Sequence, residues 1–405
     1  MRTTIIEPTL FTEQWRSSYS INLNERGMAA LDVAGVLDAV KATAQERSAV
    51  VIHSPEDSVG SMIVVPRNPP HLALSRPALV DCLLQRVALC TQVTLSRGAS
   101  VLSVGHDAAG DGSVRVGLDD GTTICATHVV AADGKWSVVR AAFFEEWCSA
   151  FLDGEPANGE CSIRSVPSWG VTLKNLASIP KAWRADATHV FKPSTPESPF
   201  YAVAAPLPTG ECSVSLVFFD AALETMPWLD PPVSNKNGNA HGGSTKALAN
   251  TGGWVEAPMS RSDSASEEMC AGLAELLAKE LPAIAGLIDL KGLTDAQVGS
   301  RASWVDLTVD YAAAAGRVAL VGDAAHAMPP SLGEGENCAL ESAVALLASL
   351  PPADDDCSPS INELSHAFTD YGLKRPGEVR PVQLRSTAAS QGVQASKGGH
   401  AQTRG

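Results

Sequence analysis

The chain has 405 residues, 45% of them hydrophobic, which is enough for two domains with a sizeable core. A formal net charge of -15 argues against nucleic-acid binding, which needs clustered Lys and Arg. Nine cysteines without a C-x-x-C pair argue against a disulfide framework and a zinc site, and we expect no bound metal. Neither a membrane span nor a secretory signal stands out, so the expected location is the cytoplasm or another soluble intracellular compartment.

The first 90 residues predict two helices and three strands. Residues 1–18 show no clear period. Apolar spacing after Ser20 predicts one amphipathic helix, and a second helix begins around Pro77, a residue that suits a first helical turn. The expected apolar positions of the first of these helices are Leu31, Val36, Leu37 and Val40. The predicted strands are 49–53, 61–66 and a run ending near Ser75.

The rest of the chain predicts sheets first and helices last. Short strands separated by Gly/Asp turns indicate a meander over 92–132, and residues 160–220 indicate a further sheet. A Pro/Gly/Asn/Ser-rich stretch at 229–268 is expected to be a flexible insertion. Helices are predicted for 266–290, 333–350 and 361–373, and disorder is predicted for about the last 15 residues.

The strongest chemical signal is VALVGDAAHAMPPSLGEGENCALESA at 318–343. An apolar strand ends at Gly322 and presents Asp323 at its carboxyl end. A proline-stiffened loop follows, and then Gly333 and Gly335 open a helix. Glycines let a flat ligand approach the backbone, and a helix N-terminus offers unpaired N–H groups and partial positive charge. The segment therefore suits a flat ring that carries negative charge.

This segment resembles the GD motif of the group A flavin monooxygenases, which share the p-hydroxybenzoate hydroxylase fold. The resemblance implies FAD as cofactor, with Asp323 hydrogen-bonded to the ribityl chain. It also implies that the backbone around Gly333 to Asn337 contacts the pyrimidine edge of the flavin. The implied cofactor-binding positions in this segment are Asp323, Pro330, Gly333, Gly335, Glu336 and Asn337. His326 belongs to the turn and is expected to be structural, and Ser342 stands where the family commonly has Asp.

A second segment, HVVAADGKWSVVR at 128–140, resembles the DG motif of the same enzymes. Asp133, Ser137 and Arg140 match that motif. In the family it serves both FAD and NADPH, so Asp133 and Arg140 are candidate cofactor-binding residues. A bare Asp-Gly before a helix is also a common N-cap arrangement.

Two further stretches are similar to kynurenine 3-monooxygenases, namely SYSINLNERGMAAL at 18–31 and LALSRPALVDCLL at 72–84. By this resemblance Arg76 reaches the flavin and Asn24 lines the FAD site. The substrate residues depart from the family, because Val50 stands where the carboxylate-binding Arg is expected and Arg67 falls near the position of a helping Tyr.

The sequence contains no G-x-G-x-x-G fingerprint, the unit that places the FAD pyrophosphate on a helix N-terminus. We therefore expect the first parallel strand and its helix to be absent. The implied fold is mixed α/β and α+β: an N-terminally incomplete, Rossmann-like FAD/NAD(P)-binding domain with an interleaved antiparallel-sheet substrate domain. The expected divisions are 1–160, 161–300, 301–350 and 351–405.

The function implied by the resemblance is hydroxylation of a small aromatic substrate with FAD, NADPH and O₂. The flavin carries the chemistry, so no catalytic side chain is expected. The alternatives are a truncated or degenerate non-catalytic flavoprotein homologue and another flavoenzyme on the same fold. A halogenase is disfavoured because its W-x-W-x-I-P motif is absent. The oligomeric state is left open.

Overall fold

The structure is a computed structural model that describes most of the chain. The described residues are 2–9, 20–53, 62–107, 112–143, 162–176, 180–229 (except 182, 196, 207–211, 220–221 and 223–224), 266–288, 290, 293, 302–308, 310–352 and 358–395. The insertion predicted at 229–268 lies almost wholly outside them.

The described strands are numbered in chain order. Their bounds are β1 Thr3–Glu7, β2 Ser20–Leu23, β3 Gln45–His53, β4 Met62–Ser75, β5 Val93–Arg97, β6 Val101–His106, β7 Val114–Leu118, β8 Thr123–Ala126, β9 Val129–Ala131, β10 Ser162–Leu176, β11 Ala187–Phe191, β12 Phe200–Pro206, β13 Cys212–Phe219, β14 Ala302–Thr308, β15 Ala312–Ala313 and β16 Val318–Leu320.

The described helices are numbered in the same way. Their bounds are α1 Glu25–Val33, α2 Leu37–Thr43, α3 Arg76–Val87, α4 Val138–Ala142, α5 Glu267–Glu280, α6 Pro282–Ala285, α7 Asp323–His326, α8 Gly335–Ser349 and α9 Ile361–Ala395.

The largest sheet has the strand order β14-β10-β13-β12-β11-β3-β4-β2. Adjacent strands of this sheet are antiparallel except for the parallel pair β11 and β3. Alternate residues of β13, such as Leu216 and Phe218, are fully buried, and they form one core cluster with Leu273 and Leu277 of α5. This confirms the sheet predicted for 160–220, and it shows that β2, β3 and β4 from the first part of the chain extend the same sheet.

Two short parallel pairings lie apart from that sheet. β1 pairs with β5, and β9 pairs with β16. The meander predicted over 92–132 is therefore correct only for β6, β7 and β8, which pair antiparallel. Ile6 of β1 and Val129 of β9 both pack against the meander's apolar cluster, so the cluster supports both parallel pairs.

Three other elements differ from the sequence prediction. The single helix predicted after Ser20 is two helices, α1 and α2, because Gly35 turns the chain between them with a φ of +70°. The two strands predicted within 61–75 are one long strand, β4. A strand, β1, forms within the first 18 residues, where no period was visible.

The last helix runs far beyond its predicted end. α9 continues through Pro376 and Pro381 to Ala395, so residues 389–395, predicted to be disordered, are helical. Its buried positions recur every three or four residues, and this spacing places one face of the helix on the rest of the protein. The positions that follow this spacing include Leu364, Phe368, Tyr371, Arg375, Val379, Val382 and Ser386. Packing along this face offsets the cost of the prolines.

Candidate functional site

The candidate site lies at the carboxyl ends of two neighbouring parallel strands. β16 and β9 pair in register, with Leu320 opposite Ala131. Asp323 and Asp133 follow these strands within three residues, so both lie at the same edge of the sheet. Ligands of open parallel sheets bind at this edge. The structure therefore brings the GD and DG segments together.

Asp323 lies in a cleft. Its side chain is accessible, yet protein surrounds it closely enough that burial raises the pKa of its carboxyl. Lys135 and Arg76 oppose this shift by their charge. Burial also raises the pKa of the Glu336 carboxyl, which Arg76 lowers and Asp323 raises. Two acids, Asp323 and Glu336, therefore lie near two cations, Arg76 and Lys135. Side chains of these types can accept hydrogen bonds from, or donate them to, a chain of hydroxyl groups.

The N-terminus of α8 opens into the same cleft. Its N-cap residue, Glu334, makes no capping hydrogen bond, because its carboxylate accepts from Asn24 Nδ2 at 2.9 Å and from Arg26 Nη2 at 2.5 Å. The first N–H groups of the helix therefore keep their partial positive charge available to a ligand.

The glycines before this helix leave room for a ligand. Gly333 is exposed with a φ of +66°, and a Cβ added there would meet no atom within 4 Å. A Cβ at Gly335 would meet only Asp323 Oδ1, at 4.0 Å. The space above this turn is therefore open, next to the accessible carboxyl of Asp323 and a helix N-terminus, and it fits a flat, partly anionic ring.

Asn337 and Asn24 use their side chains within the protein. Asn337 is buried; its Oδ1 accepts from the Asn24 backbone N–H at 2.9 Å, and its Nδ2 donates to the carbonyls of Asn22 and Gly333 at 3.0 and 3.2 Å. Asn24 Oδ1 caps α1 through the N–H groups of residues 26 and 27. The two side chains join the start of α1 to the start of α8, so neither side chain is left for a cofactor.

Arg140 also makes its hydrogen bonds within the protein, where it links two segments of the site. It is 5% exposed, and its Nη1 and Nη2 donate to the carbonyls of Ala324 and Lys135, each at 2.6 Å. It therefore fixes the DG segment against α7. Pro330 begins a short 3-10 helix that ends at Leu332, next to Gly333, so it shapes the turn at the cleft.

His326 lies behind the cleft and is fully buried. Its Nε2 is 2.9 Å from Ser342 Oγ, and burial lowers the pKa of the imidazole to about 3. A neutral, enclosed imidazole agrees with the expected structural role. Ser342 also accepts from Arg375 Nε at 3.0 Å, which places this departure from the family pattern at a contact between helices.

Sequence reasoning missed two charged groups of this region. Glu7 ends β1 and accepts a hydrogen bond from Thr9 N at 2.8 Å; an acid at the end of a parallel strand is typical of ribose recognition. The β-branched run TTIIE was its sequence signal. Lys135 lies within the DG segment and acts electrostatically on Asp323. Only the fold could reveal that proximity.

Neither a metal centre nor a membrane helix is found within the described ranges. No group of three His, Cys, Asp or Glu side chains there could hold a metal ion. None of the helices described above combines the length and the apolar character needed to cross a bilayer.

Comparisons with known proteins identify the family and the fold. A family model described as "FAD binding domain" matches residues 2–148 and 294–352, together about half of the chain. The chain is 43% identical over 77 residues to kynurenine 3-monooxygenase of Stenotrophomonas maltophilia (strain K279a). That match covers 19% of this chain and only 15% of the relative's length. A match to the FAD-dependent monooxygenase BOA8 of Botryotinia fuckeliana (strain B05.10) is 46% identical over 61 residues, 15% of this chain and 8% of the relative.

Solved structures resemble the whole fold. Klebsiella pneumoniae HpxO complexed with FAD and uric acid is 17% identical, with a TM-score of 0.63 over 97% of this chain and 88% of that one. Pseudomonas aeruginosa PqsL in complex with 2-aminobenzoylacetate is 18% identical, with a TM-score of 0.61 over 97% and 90%. At these identities the likeness shows the fold, and the family match settles the family. The chain belongs to the FAD binding domain family.

Proposed function

We propose that this chain holds FAD in the cleft between the ends of β9 and β16 and the start of α8, and that it is an FAD-dependent monooxygenase of aromatic substrates. The observation that carries the proposal is the open turn at Gly333, which places an uncapped helix N-terminus and the Asp323 carboxyl around one empty space. NADPH and O₂ are the proposed co-substrates.

Bound FAD would supply the redox chemistry, by taking up a hydride and activating oxygen. The protein's own groups have simpler tasks. Asp323 and Glu336 accept or donate hydrogen bonds to the hydroxyl chain of the cofactor, and Arg76 and Lys135 balance their charge. The N–H groups that begin α8 stabilise negative charge on the ring edge. Asp133, exposed at the end of β9, faces the same edge of the sheet.

Glu7 extends the proposed site toward the nucleotide end. Its position at the end of β1 suits a carboxylate that accepts hydrogen bonds from a ribose. The pyrophosphate has no G-x-G-x-x-G loop within these 405 residues. For that reason a non-catalytic flavin-binding protein is the second candidate function.

The test is flavin retention followed by turnover. The full chain is purified with added FAD, dialysed, and compared with Asp323→Ala by flavin absorbance and flavin fluorescence quenching. Aromatic substrates, including kynurenine, are then supplied with NADPH in air, and hydroxylated product is measured. Retained flavin and a hydroxylated product support the monooxygenase, whereas retained flavin without any product supports the non-catalytic alternative. Flavin loss in the wild type, or equal retention in Asp323→Ala, contradicts the proposed site.

A further inference from the structure

The pair of parallel strands β1 and β5 is much less buried than parallel strands usually are. Every residue of the two strands is exposed or half-buried. Parallel sheets occur almost only where both faces are covered, because their connections place other elements on those faces. An isolated pair of strands is also only marginally stable in water. The β1–β5 pair therefore has the properties of an incomplete sheet.

The parallel pair β9 and β16 is incomplete on one side. β16 lies between β15 and β9, and each of its residues is 0% exposed. β9 pairs with β16 along one edge, and no described strand pairs with its other edge. Val130 of β9 is 47% exposed, whereas Ala319, its partner in register on β16, is 0% exposed. Burial therefore falls sharply from β16 toward the free edge of β9.

β1 and β9 lie beside one apolar cluster. Ile6 of β1 and Val129 of β9 both pack against the buried residues Ala99, Val116 and Leu118 of the meander region. The two strands are nevertheless not hydrogen-bonded to each other. Two strands that flank one cluster without pairing leave a strand position between them.

The free edges of these strands are suited to bind a further strand. A sheet edge presents a row of backbone N–H and C=O groups, and an added strand satisfies them. Ile5 of β1 is 36% exposed, so each edge carries an apolar side chain that a new strand would cover. Charged residues and proline usually protect an edge from such pairing. The sequences TTIIE and VVA contain neither, apart from Glu7 at the end of β1.

The sequence of the chain offers no suitable occupant outside its described strands and helices. An inner strand of a sheet covered on both faces is a nearly continuous run of Val, Ile and Leu. No stretch outside the described elements contains three consecutive residues of these types. A second copy of the chain has the same sequence and therefore the same deficiency. The occupant that fits the position is a segment of a different polypeptide.

We propose that β1 and β9 bind a short β-strand of a partner polypeptide, which joins the β1–β5 and β9–β16 pairs in one continuous sheet. The partner segment is uncharged and rich in Val, Ile and Leu, because the sheet covers it on both faces. Its backbone hydrogen bonds supply the affinity, and its side chains on the meander's apolar cluster supply the selectivity. The sheet forms without a cofactor, so this inference does not rest on the proposed function.

The probe is a fluorescein-labelled peptide with the core VVIVI between terminal lysines, used where light scattering shows that it is monomeric. The control peptide has the core VVPVI, whose proline lacks an N–H donor and interrupts a strand. Fluorescence anisotropy measures the affinity for the full chain without flavin, and amide hydrogen exchange locates the bound peptide. Val130→Lys and Ile5→Lys each place a charge beside the new strand, and Leu373→Lys adds the same charge at an exposed position of α9. Thermal melting verifies that each variant is folded, and each edge variant tests the proposal independently of the other.

We expect the VVIVI peptide to slow amide exchange in both β1 and β9 by about tenfold or more, and the VVPVI peptide to have little effect. Val130→Lys and Ile5→Lys should weaken binding by about tenfold or more, because the apolar strand would desolvate the lysine. Leu373→Lys should match the wild type. Protection of only one strand, equal affinity for the two peptides, or equal affinity of all variants overturns the proposal.

Exchange in the free protein tests the other possible occupants. Slow exchange of β1 and β9 at every protein concentration would show that a segment of the same chain fills the position. Slow exchange that appears only at high protein concentration would show that a second copy fills it. Either result overturns the proposal of a different partner, whereas fast exchange in the free protein is the result that we expect.

Discussion

Ser342 Oγ accepts a hydrogen bond from Arg375 Nε across 3.0 Å, and both residues are buried where α8 meets α9. Arg375 also donates to Glu341 at 2.7 Å and to Glu378 at 2.8 Å, so its charge is balanced without help from residue 342. A hydroxyl is therefore sufficient at this position, although the related family commonly has a carboxylate there.

Ser342→Ala should lower the free energy of unfolding by about 1–3 kcal/mol, because it leaves His326 Nε2 and Arg375 Nε buried without their partner. Chemical denaturation at neutral pH measures the change. Ser349→Ala is the matched control, since that hydroxyl lies nearer the surface of the same helix and, among the described residues, bonds to a carbonyl four residues earlier. Equal stability of the two variants would contradict the role assigned to Ser342.

Acid should destabilise the protein through one fully buried and two half-buried histidines. Burial lowers the pKa of His326 from 6.5 to about 3, and it lowers the pKa of His71 and of His128 to about 4. Below pH 6.5 these histidines therefore bind protons in the unfolded chain but stay neutral in the folded chain. The stability from these groups is complete above pH 6.5 and is lost as the pH falls from 6.5 toward 4 and below.

His326→Gln isolates one of these contributions. Gln can keep a hydrogen bond to Ser342 but does not titrate. The wild type should therefore lose about 1–3 kcal/mol more than His326→Gln between about pH 7 and about pH 4. Asp323 and Glu336 change stability in the opposite direction, because burial raises the pKa of each carboxyl and the folded chain therefore binds these protons more readily than the unfolded chain. Both the wild type and His326→Gln contain these two acids, so their contribution cancels in the comparison. Parallel stability–pH curves would show that His326 is not the group responsible.

The contiguous parts of the site were predictable from sequence, and the parts assembled from distant segments were not. Asp323 and the start of α8 lie within one short motif, so their proximity follows from local structure. The clamp on Asn337 needs Asn22 and Asn24, more than 300 positions earlier in the chain. No local pattern encodes a partner at that separation.

Packing also overrode two local signals. The last helix was predicted to end at residue 373, yet the buried face of α9 continues past Pro376, and burial of that face outweighs the lost hydrogen bonds. β1 has only five residues, and its partner β5 begins at Val93, so a strand there is specified by a distant pairing and not by its own period.

Asn337→Ala should act on stability more than on flavin affinity. The side chain makes three hydrogen bonds inside the protein, and its loss should cost about 2–4 kcal/mol of unfolding free energy. Gly27→Ala should also be destabilising, because an added Cβ would overlap Asn337 Oδ1 and displace the same side chain. Denaturation and FAD titration of both variants separate the two effects. A stable Asn337→Ala protein that cannot bind FAD would instead make this amide a direct cofactor ligand.

Gly333→Ala should have the opposite profile. A methyl group at this position meets no protein atom and projects into the space where the flavin ring would lie. The positive φ costs about 1–2 kcal/mol for a non-glycine residue, so stability should fall modestly.

Gly121→Ala is the matched control for Gly333→Ala. Gly121 has a φ of +83° and equally open surroundings, but it lies in the turn between β7 and β8. Both variants should therefore lose similar stability, while Gly333→Ala alone should lower FAD affinity by about tenfold or more, a free-energy difference of about 1.4 kcal/mol. Fluorescence titration with FAD checks this. If Gly333→Ala bound FAD as tightly as Gly121→Ala, the ring could not lie against this turn, and the cleft at the start of α8 would have to hold another part of the cofactor.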